Sequence, residues 1–388
     1  MKKVVVAGHI CLDITPVFSS DKIQQVEEVL IPGKMIEMKD VDVHTGGVVA
    51  NTGLGMKILG ADVTLMGKVG NDAFGELVLN ILSKYNAAEG MIVSESVDTS
   101  YSVVLAMPGI DRIFLHNPGA NDTFTREDLD FSLIEKASLF HFGYPPIMKN
   151  MYENEGAELV SIFKRVKELG VATSLDMATP DAESRSGKVD WNTIIKNVLP
   201  YVDFFVPSIE ELGFMINRTG FNEWSLRAKG KDITSVLSVK EDIKPLADRL
   251  IAWGAKVILI KCGAPGIYIR TANKEELSKI GLFTENQQEE LTSQFTCHEL
   301  EQWADLEWFE ESYEPSKVLS GTGAGDTSIA AFLTAMLKGF SPQKCLQLAT
   351  ATGASCVEAY DALSGLRSFD ELNKKIESGW KKQHLIDI

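Results

Sequence analysis

Sulfur chemistry is sparse in this chain. Five cysteines, Cys11, Cys262, Cys297, Cys345 and Cys356, form an odd and scattered set without a CxxC pair. That pattern excludes a disulfide framework and a thiolate metal site, and it reads as reduced, structural cysteine. Positive charge is also short: 38 Lys and Arg face 54 Asp and Glu, for a formal charge of -16. Such a balance argues against a nucleic-acid-coating or anionic-membrane-binding protein. No apolar run reaches membrane-spanning length. The opening "MKKVVVAGHICLDITP" has only a short apolar run, broken by Asp13 and lacking a small-residue cleavage site, so a cytoplasmic protein is expected. Internal repeats and low-complexity tracts are likewise missing.

What the chain does have is a βαβ rhythm. With 388 residues, 45% of them apolar, it has material for one large domain and a smaller appendage. "KVVVAGHI", "DVTLMGKVG", "ASLFHFG", "VATSLDM", "VDFFVPS" and "AKVILIKCG" are apolar runs of strand length, as expected of strands buried on both faces. Amphipathic stretches such as "EGAELVSIFKRVKELG" lie between them. The fold class is therefore α/β, a Rossmann-like, mostly parallel sheet flanked by helices, and ligands are expected beyond the C-terminal strand ends. Two regions, 14–45 and 98–117, break the rhythm with short extended runs that read as antiparallel strands standing off the main sheet. The core then comprises 1–13, 46–97 and 118–388. Polar stretches at 217–242 and 272–312, the second acidic and holding Trp303 and Trp308, read as surface insertions.

The chemistry concentrates in "SGTGAGDTSIAAFLTAMLKG", Ser320 to Gly339. Ile329, Phe332, Leu333, Met336 and Leu337 lie on one helical face, which puts the helix start near Ala324. Its first N–H groups lack intrahelical partners and carry the positive end of the helix dipole. Glycines there admit an anion to the backbone, so Gly323, Ala324 and Gly325 read as a phosphate cradle. Asp326 in the first turn is either a dipole-stabilising residue or, if an anion binds, a base beside it for an attacking hydroxyl. A Walker A loop needs Gly-Lys where this chain has Gly325 and Asp326, a dinucleotide fingerprint needs a third glycine at 326, and protein-kinase HRD and DFG motifs are absent.

A second segment, "HTGGVVANTGLGMKILGADVTLMGKVGNDAFGELVLNIL", opens a helix at Gly46 and Gly47 and places Asn51 one turn in. Gly46 and Gly47 would let a ligand touch backbone, and Asn51 suits a polyol; the plainer reading is a tight turn and a small-residue face formed by Gly53 and Gly55. Asp13, beyond the first strand, suits two vicinal hydroxyls or caps a turn. His9, His44, His116 and His141 show no ligand spacing and read as structural.

Together, "GGVVANTGLGMKILGADVTLMGKVGNDAFG" and "GTGAGDTSIAAF" make the chain resemble the ribokinase-like, or PfkB, carbohydrate kinases over nearly its whole length. The resemblance implies an α/β core with a β-sheet lid used in a homodimer, and ATP and Mg²⁺ as cofactors. It also implies Asp326 as catalytic base, Gly323, Ala324 and Gly325 as anion hole, and Asp13, Gly46, Gly47, Asn51 and the lid's Arg112 as acceptor contacts. Lys261, Gly263, Thr322 and Thr350 would fall to the nucleotide, Thr350 standing where the family commonly has Asn. Glu211 would act on Mg²⁺ through water, in a motif whose Asn is Ser208 here; as a plain helix residue it is an N-terminal charge. Ser320 and Gly321 stand where the family often carries Asp-Thr tied to a monovalent cation, so cation activation is not carried over.

The leading expectation is an ATP-dependent kinase for a hydroxyl of a sugar, sugar acid or nucleoside. The alternative, motivated by Ser208 and Ser320, is a weakly catalytic or noncatalytic sugar- or nucleotide-sensing protein; a nicotinamide dehydrogenase lacks its fingerprint.

Overall fold

Strands buried on both sides must alternate their side chains between two cores, and the first apolar run does so. Val4 and Val6 enter one hydrophobic cluster, whereas Val5 and Ala7 enter the other. The same division separates Val257 and Leu259 from Ile258 and Ile260. The computed structural model describes residues 2–19, 23, 25–110, 112–283 and 297–386.

Fourteen strands are described: β1 (Lys3–Gly8), β2 (Cys11–Phe18), β3 (Met38–Gly46), β4 (Asp62–Met66), β5 (Lys68–Gly70), β6 (Ile92–Ser94), β7 (Tyr101–Leu105), β8 (Ile113–Asn117), β9 (Leu139–Gly143), β10 (Ala172–Asp176), β11 (Phe204–Phe205), β12 (Val257–Lys261), β13 (Gly266–Thr271) and β14 (Glu307–Glu311). The main sheet has eight of them in the order β14, β13, β12, β11, β10, β9, β1, β4. From β12 to β4 every pairing is parallel; β13 and β14 add an antiparallel edge. Tyr144, Asp176, Ser208 and Lys261 therefore leave or end their strands at the same rim of the sheet.

A second sheet stands apart, in the order β3, β2, β7, β8. Its outer pairs are antiparallel, but β2 and β7 at its centre run parallel. A hairpin cannot join parallel neighbours, and here the chain passes through two helices before β7 returns beside β2. Asp13 lies within β2, in this small sheet, and not at the exit of β1.

Two helices carry the motifs, Val48–Ile58 and Ala324–Leu337, and they cross closely. A Cβ added at Gly55 would lie 3.1 Å from the Ala330 Cβ, so a side chain there presses the two helices apart by a few tenths of an ångström. Gly53 is similarly pressed against Leu65, whose Cδ2 is 2.3 Å from the place a Cβ would occupy.

The two polar stretches are more than surface decoration. Trp224 is buried and donates through Nε1 to Asp242 Oδ1 at 2.7 Å. Within 272–312, β14 closes the main sheet and Trp303 packs edge-on to Phe332 at 6.0 Å, whereas Trp308 stays exposed. An edge strand needs only one apolar face, which is why its composition reads as polar. Residues 284–296 of that stretch lie outside the described residues. Among the described residues no helix is long and apolar enough to cross a membrane.

The Gly55 crossing fixes the distance between the two motif helices. Gly55→Val should lower the unfolding free energy by about 1–3 kcal/mol through overpacking, measured by urea denaturation.

Candidate active site

The rim of the parallel sheet, the start of the Ala324–Leu337 helix and the small sheet enclose a cleft of about 1280 Å³. Asp13, Arg112, Lys261, Gly263, Thr322 and Thr350 all line it, as do Ala324 and Gly325. Residues spread over most of the sequence thus meet in one cleft.

The helix begins after Gly323, whose φ of 72° is left-handed and suits glycine. A Cβ there would also fall 2.2 Å from that of Ala362. Ser320 shapes the turn before it: its hydroxyl accepts from Thr322 N at 3.1 Å and donates to Thr322 Oγ1 at 3.0 Å. The serine standing at this position therefore helps to brace the loop. Within the first turn Thr327 N bonds back to Gly323 O at 2.8 Å, while Gly325 and Asp326 N–H groups meet no acceptor among the described residues. The helix presents unpaired donors to the cleft.

Asp326 is buried, and among the described residues no cation forms an ion pair with it. Asn51 Nδ2 donates to Oδ2 at 2.9 Å, and the Tyr144 hydroxyl donates to Oδ1 at 2.7 Å. Thr52 Oγ1 lies 3.5 Å from Oδ1. Neutral donors hold the carboxylate without neutralising it, and the helix dipole favours the charge. Asn51 binds Asp326 here, a tie that the sequence reading, which gave Asn51 to the acceptor, does not contain. Tyr144 has a left-handed backbone, φ 67°, at the exit of β9. Burial, then the Asp326 and Asp176 carboxylates, push its phenol well above the ordinary range, so it stays a donor.

Asp13 faces the cleft from β2. The Cys11 thiol donates to its Oδ1 at 3.2 Å, and His44 Nε2 lies 3.9 Å from Oδ2. Burial raises the Asp13 carboxyl above the usual carboxylate value, against the pull of Cys11 and His44. Gly46 is packed under it: an added Cβ would stand 2.2 Å from Asp13 Oδ2. Gly47 has φ 87° and abuts His9, whose ring nitrogens are buried without partners. Burial, then His116, hold His9 well below its ordinary pKa.

At the cleft floor Lys261 Nζ donates to Asp176 Oδ1 at 2.6 Å. Burial works against the ammonium, but the Asp176, Glu211 and Asp326 carboxylates win and raise its pKa. Burial, with Glu211 and Asp326, pushes the Asp176 carboxyl up while Lys261 holds it down. Glu211 is engaged in a capping box: Ser208 N donates to its Oε2 at 2.6 Å, and Ser208 Oγ accepts from Glu211 N. Its neighbour Glu210 lines the cleft instead.

Arg112 reaches from the small sheet to donate to Thr322 Oγ1, tying lid to glycine turn. Farther along, Gly263 adopts φ 61° beside Thr234, and the Thr350 hydroxyl donates to its own helix carbonyls at Leu346 and Gln347. Thr350 lacks the free amide that Asn would offer.

Sequence reasoning missed Tyr144 and Asp176. Both had a signal, because they follow or end the apolar runs "HFG" and "ATSLD" at strand exits, where ligands gather in parallel sheets.

The pfkB family carbohydrate kinase model matches residues 1–287 and 304–368. An uncharacterized sugar kinase of Archaeoglobus fulgidus is 24% identical over 318 residues, 82% of this chain and all of that one. A probable chloroplastic fructokinase-6 of Arabidopsis thaliana is 34% identical over 134 residues, 34% of each chain. Among solved structures, Arabidopsis thaliana ribokinase with ribose and ATP superposes with a TM-score of 0.66 at 19% identity, covering 96% of this chain and 98% of that one. A putative E. coli ribokinase II with ATP and Mg²⁺ gives 0.66 at 19% identity, over 97% and 100%. Matched along most of its length by one family model and folded as these kinases are, the chain belongs to the pfkB family of carbohydrate kinases.

Proposed function

We propose that this sugar kinase transfers the γ-phosphoryl group of ATP to a hydroxyl of a sugar, sugar acid or nucleoside, with Asp326 as general base and the Gly323–Gly325 turn as anion hole. The observation that carries the reading is the buried Asp326 carboxylate, held by neutral donors beside unpaired helix N–H groups at the cleft. An acceptor hydroxyl between Asp13 and Asp326 gives its proton to Asp326 as its oxygen bonds phosphorus. The bond to the ADP oxygen breaks, and the charge on the equatorial oxygens rests on the turn. The reading assigns Asp13 to acceptor hydroxyls, with Gly46, Gly47 and Asn51 shaping that end and Arg112 reaching in from the lid. Lys261, Gly263, Thr322 and Thr350 serve the nucleotide end.

The donors present fit Mg²⁺ held mainly by phosphate oxygens and water. Asp176 keeps a buried oxygen without a partner, Glu211 stands in its electrostatic neighbourhood, and no group of three ligating side chains occurs among the described residues. Bound there, Mg²⁺ would offset phosphate charge. Glu211, already committed to its cap, would hold it only through water. Of the two serines behind the sensing alternative, Ser208 caps its helix and Ser320 braces the glycine turn, and neither displaces Asp326.

The small sheet supports a homodimer contact. Val41, Val43 and Leu115 are large apolar side chains exposed on one face of its outer strands β3 and β8, and a second copy of the chain is the proposed cover. Sedimentation should report a dimer that Val43→Lys with Leu115→Lys converts to monomer.

Asp326→Asn should lower kcat by about 10²–10⁴-fold on the best acceptor from a panel of sugars, sugar acids and nucleosides, without loss of fold. Turnover near wild type sinks the base assignment. Because Ser320 and Gly321 offer no carboxylate before the turn, replacing potassium by choline should leave kcat within about 2-fold of its value at equal ionic strength.

A further inference from the structure

Two buried ion pairs on the main sheet invite comparison. Asp203, just before β11, is fully satisfied: Oδ1 accepts from Lys256 at 2.8 Å and Lys167 at 3.0 Å, and Oδ2 from Lys167 at 2.8 Å and Thr173 N at 3.0 Å. That network sits at the strand starts, away from the cleft, and closes on itself as a structural pair should. Asp176 and Lys261 sit at the opposite ends, where β10 and β12 finish on either side of β11, and their pair is left open. Asp176 Oδ2 is buried without a partner. Lys261, although its side chain is only 12% exposed, makes one hydrogen bond among the described residues, to Asp176. An ammonium carries three donors, so two of its N–H groups meet no protein acceptor among the described residues and are left to whatever fills the cleft.

Their position says what is missing. The Lys261 side chain runs directly beneath the glycine turn: a Cβ at Gly325 would stand 3.3 Å from its Cδ and 3.9 Å from its Nζ. Gly325 is bare on the side where the ammonium lies. The spare donors therefore sit beside the unpaired N–H groups of the same turn, and the site lines the cleft. A desolvated pair with unmet valence beside an anion cradle is poorly explained by stability alone.

We infer that Lys261 donates to a non-bridging oxygen of the transferring phosphoryl group, and that Asp176 is the positioning residue that aims it. The inference rests on the placement of that group at the Gly323–Gly325 turn. It moves Lys261 from the nucleotide's base or ribose to the reacting phosphorus. Lys261 keeps its proton throughout: the acceptor's proton goes to Asp326, the bond to the ADP oxygen breaks, and the ammonium only follows the charge on the equatorial oxygens. A fixed point charge suits that task, whereas the backbone donors supply direction.

The test uses the purified full chain and the best acceptor from the panel. Lys261→Met should lower kcat by about 10²-fold while the KM for acceptor and the affinity for ADP change by less than about 3-fold. Its affinity for ADP with fluoroaluminate, Mg²⁺ and acceptor, a mimic of the transferring group, should fall by a similar factor to kcat. Because Lys261→Met alone leaves a carboxyl buried without its partner, the double variant Lys261→Met with Asp176→Asn keeps the question open if the single one unfolds. Asp176→Asn should cost kcat alone but add almost nothing to Lys261→Met, the non-additivity expected of residues acting as a unit. The inference is overturned if folded Lys261→Met, or the double variant, turns over within about 3-fold of wild type. Equal loss of ADP and of its fluoroaluminate complex also overturns it. If Asp326→Asn is inactive while Lys261→Met is not, only this inference fails; if both match wild type, the site reading fails with it.

Discussion

A carboxylate buried at the start of a helix, with no cation of its own, is the condition around which this molecule is arranged. Asp326 can stay there only if neutral donors reach it, and the donors come from two distant places in the chain. Asn51 arrives on the Val48–Ile58 helix, which must lie close to the Ala324–Leu337 helix for the bond to form. Gly55 permits that approach at Ala330. Tyr144 comes from the rim of the sheet, on a backbone that a β-branched residue would adopt only with strain. Packing in the core and polarity at the site are thus one problem with one solution.

The charge of the chain makes the local arrangement necessary. With a formal charge of -16, the molecule as a whole repels a triphosphate. On the proposed reading, attraction is built within a few ångströms, from helix N–H groups, the Lys261 ammonium and the Arg112 guanidinium. Acidic side chains crowd the same cleft, so oriented donors count for more there than net charge does.

The sheet and its exits were legible because strands buried on both faces leave continuous apolar runs, as "KVVVAG" and "VILIK" do. The glycine turn and its helix were legible from spacing alone. Tyr144 and Asp176 carried only the general signal of a strand exit, since the sequence does not say which strands lie side by side, and the order of the sheet is what brings them together. The parallel β2 and β7 pair was hidden for a similar reason: direction depends on the route between strands, which short extended runs do not encode. Ser320 and Ser208 read as departures from a family pattern, yet each proves to be a local brace. Trp303 read as surface because its neighbours are charged, although the Phe332 face it covers lies on the core side of the sheet's edge.

The bond from Arg112 to Thr322 joins residues 210 positions apart in the chain, one on the small sheet and one in the turn before the Ala324–Leu337 helix. Apolar contacts lie beside it: Leu12 belongs to the core cluster, and Tyr101 packs on that cluster and meets Phe74 edge-on. The small sheet is thus seated on the core by burial, and the polar bond at Thr322 fixes where its Arg112 end lies over the glycine turn.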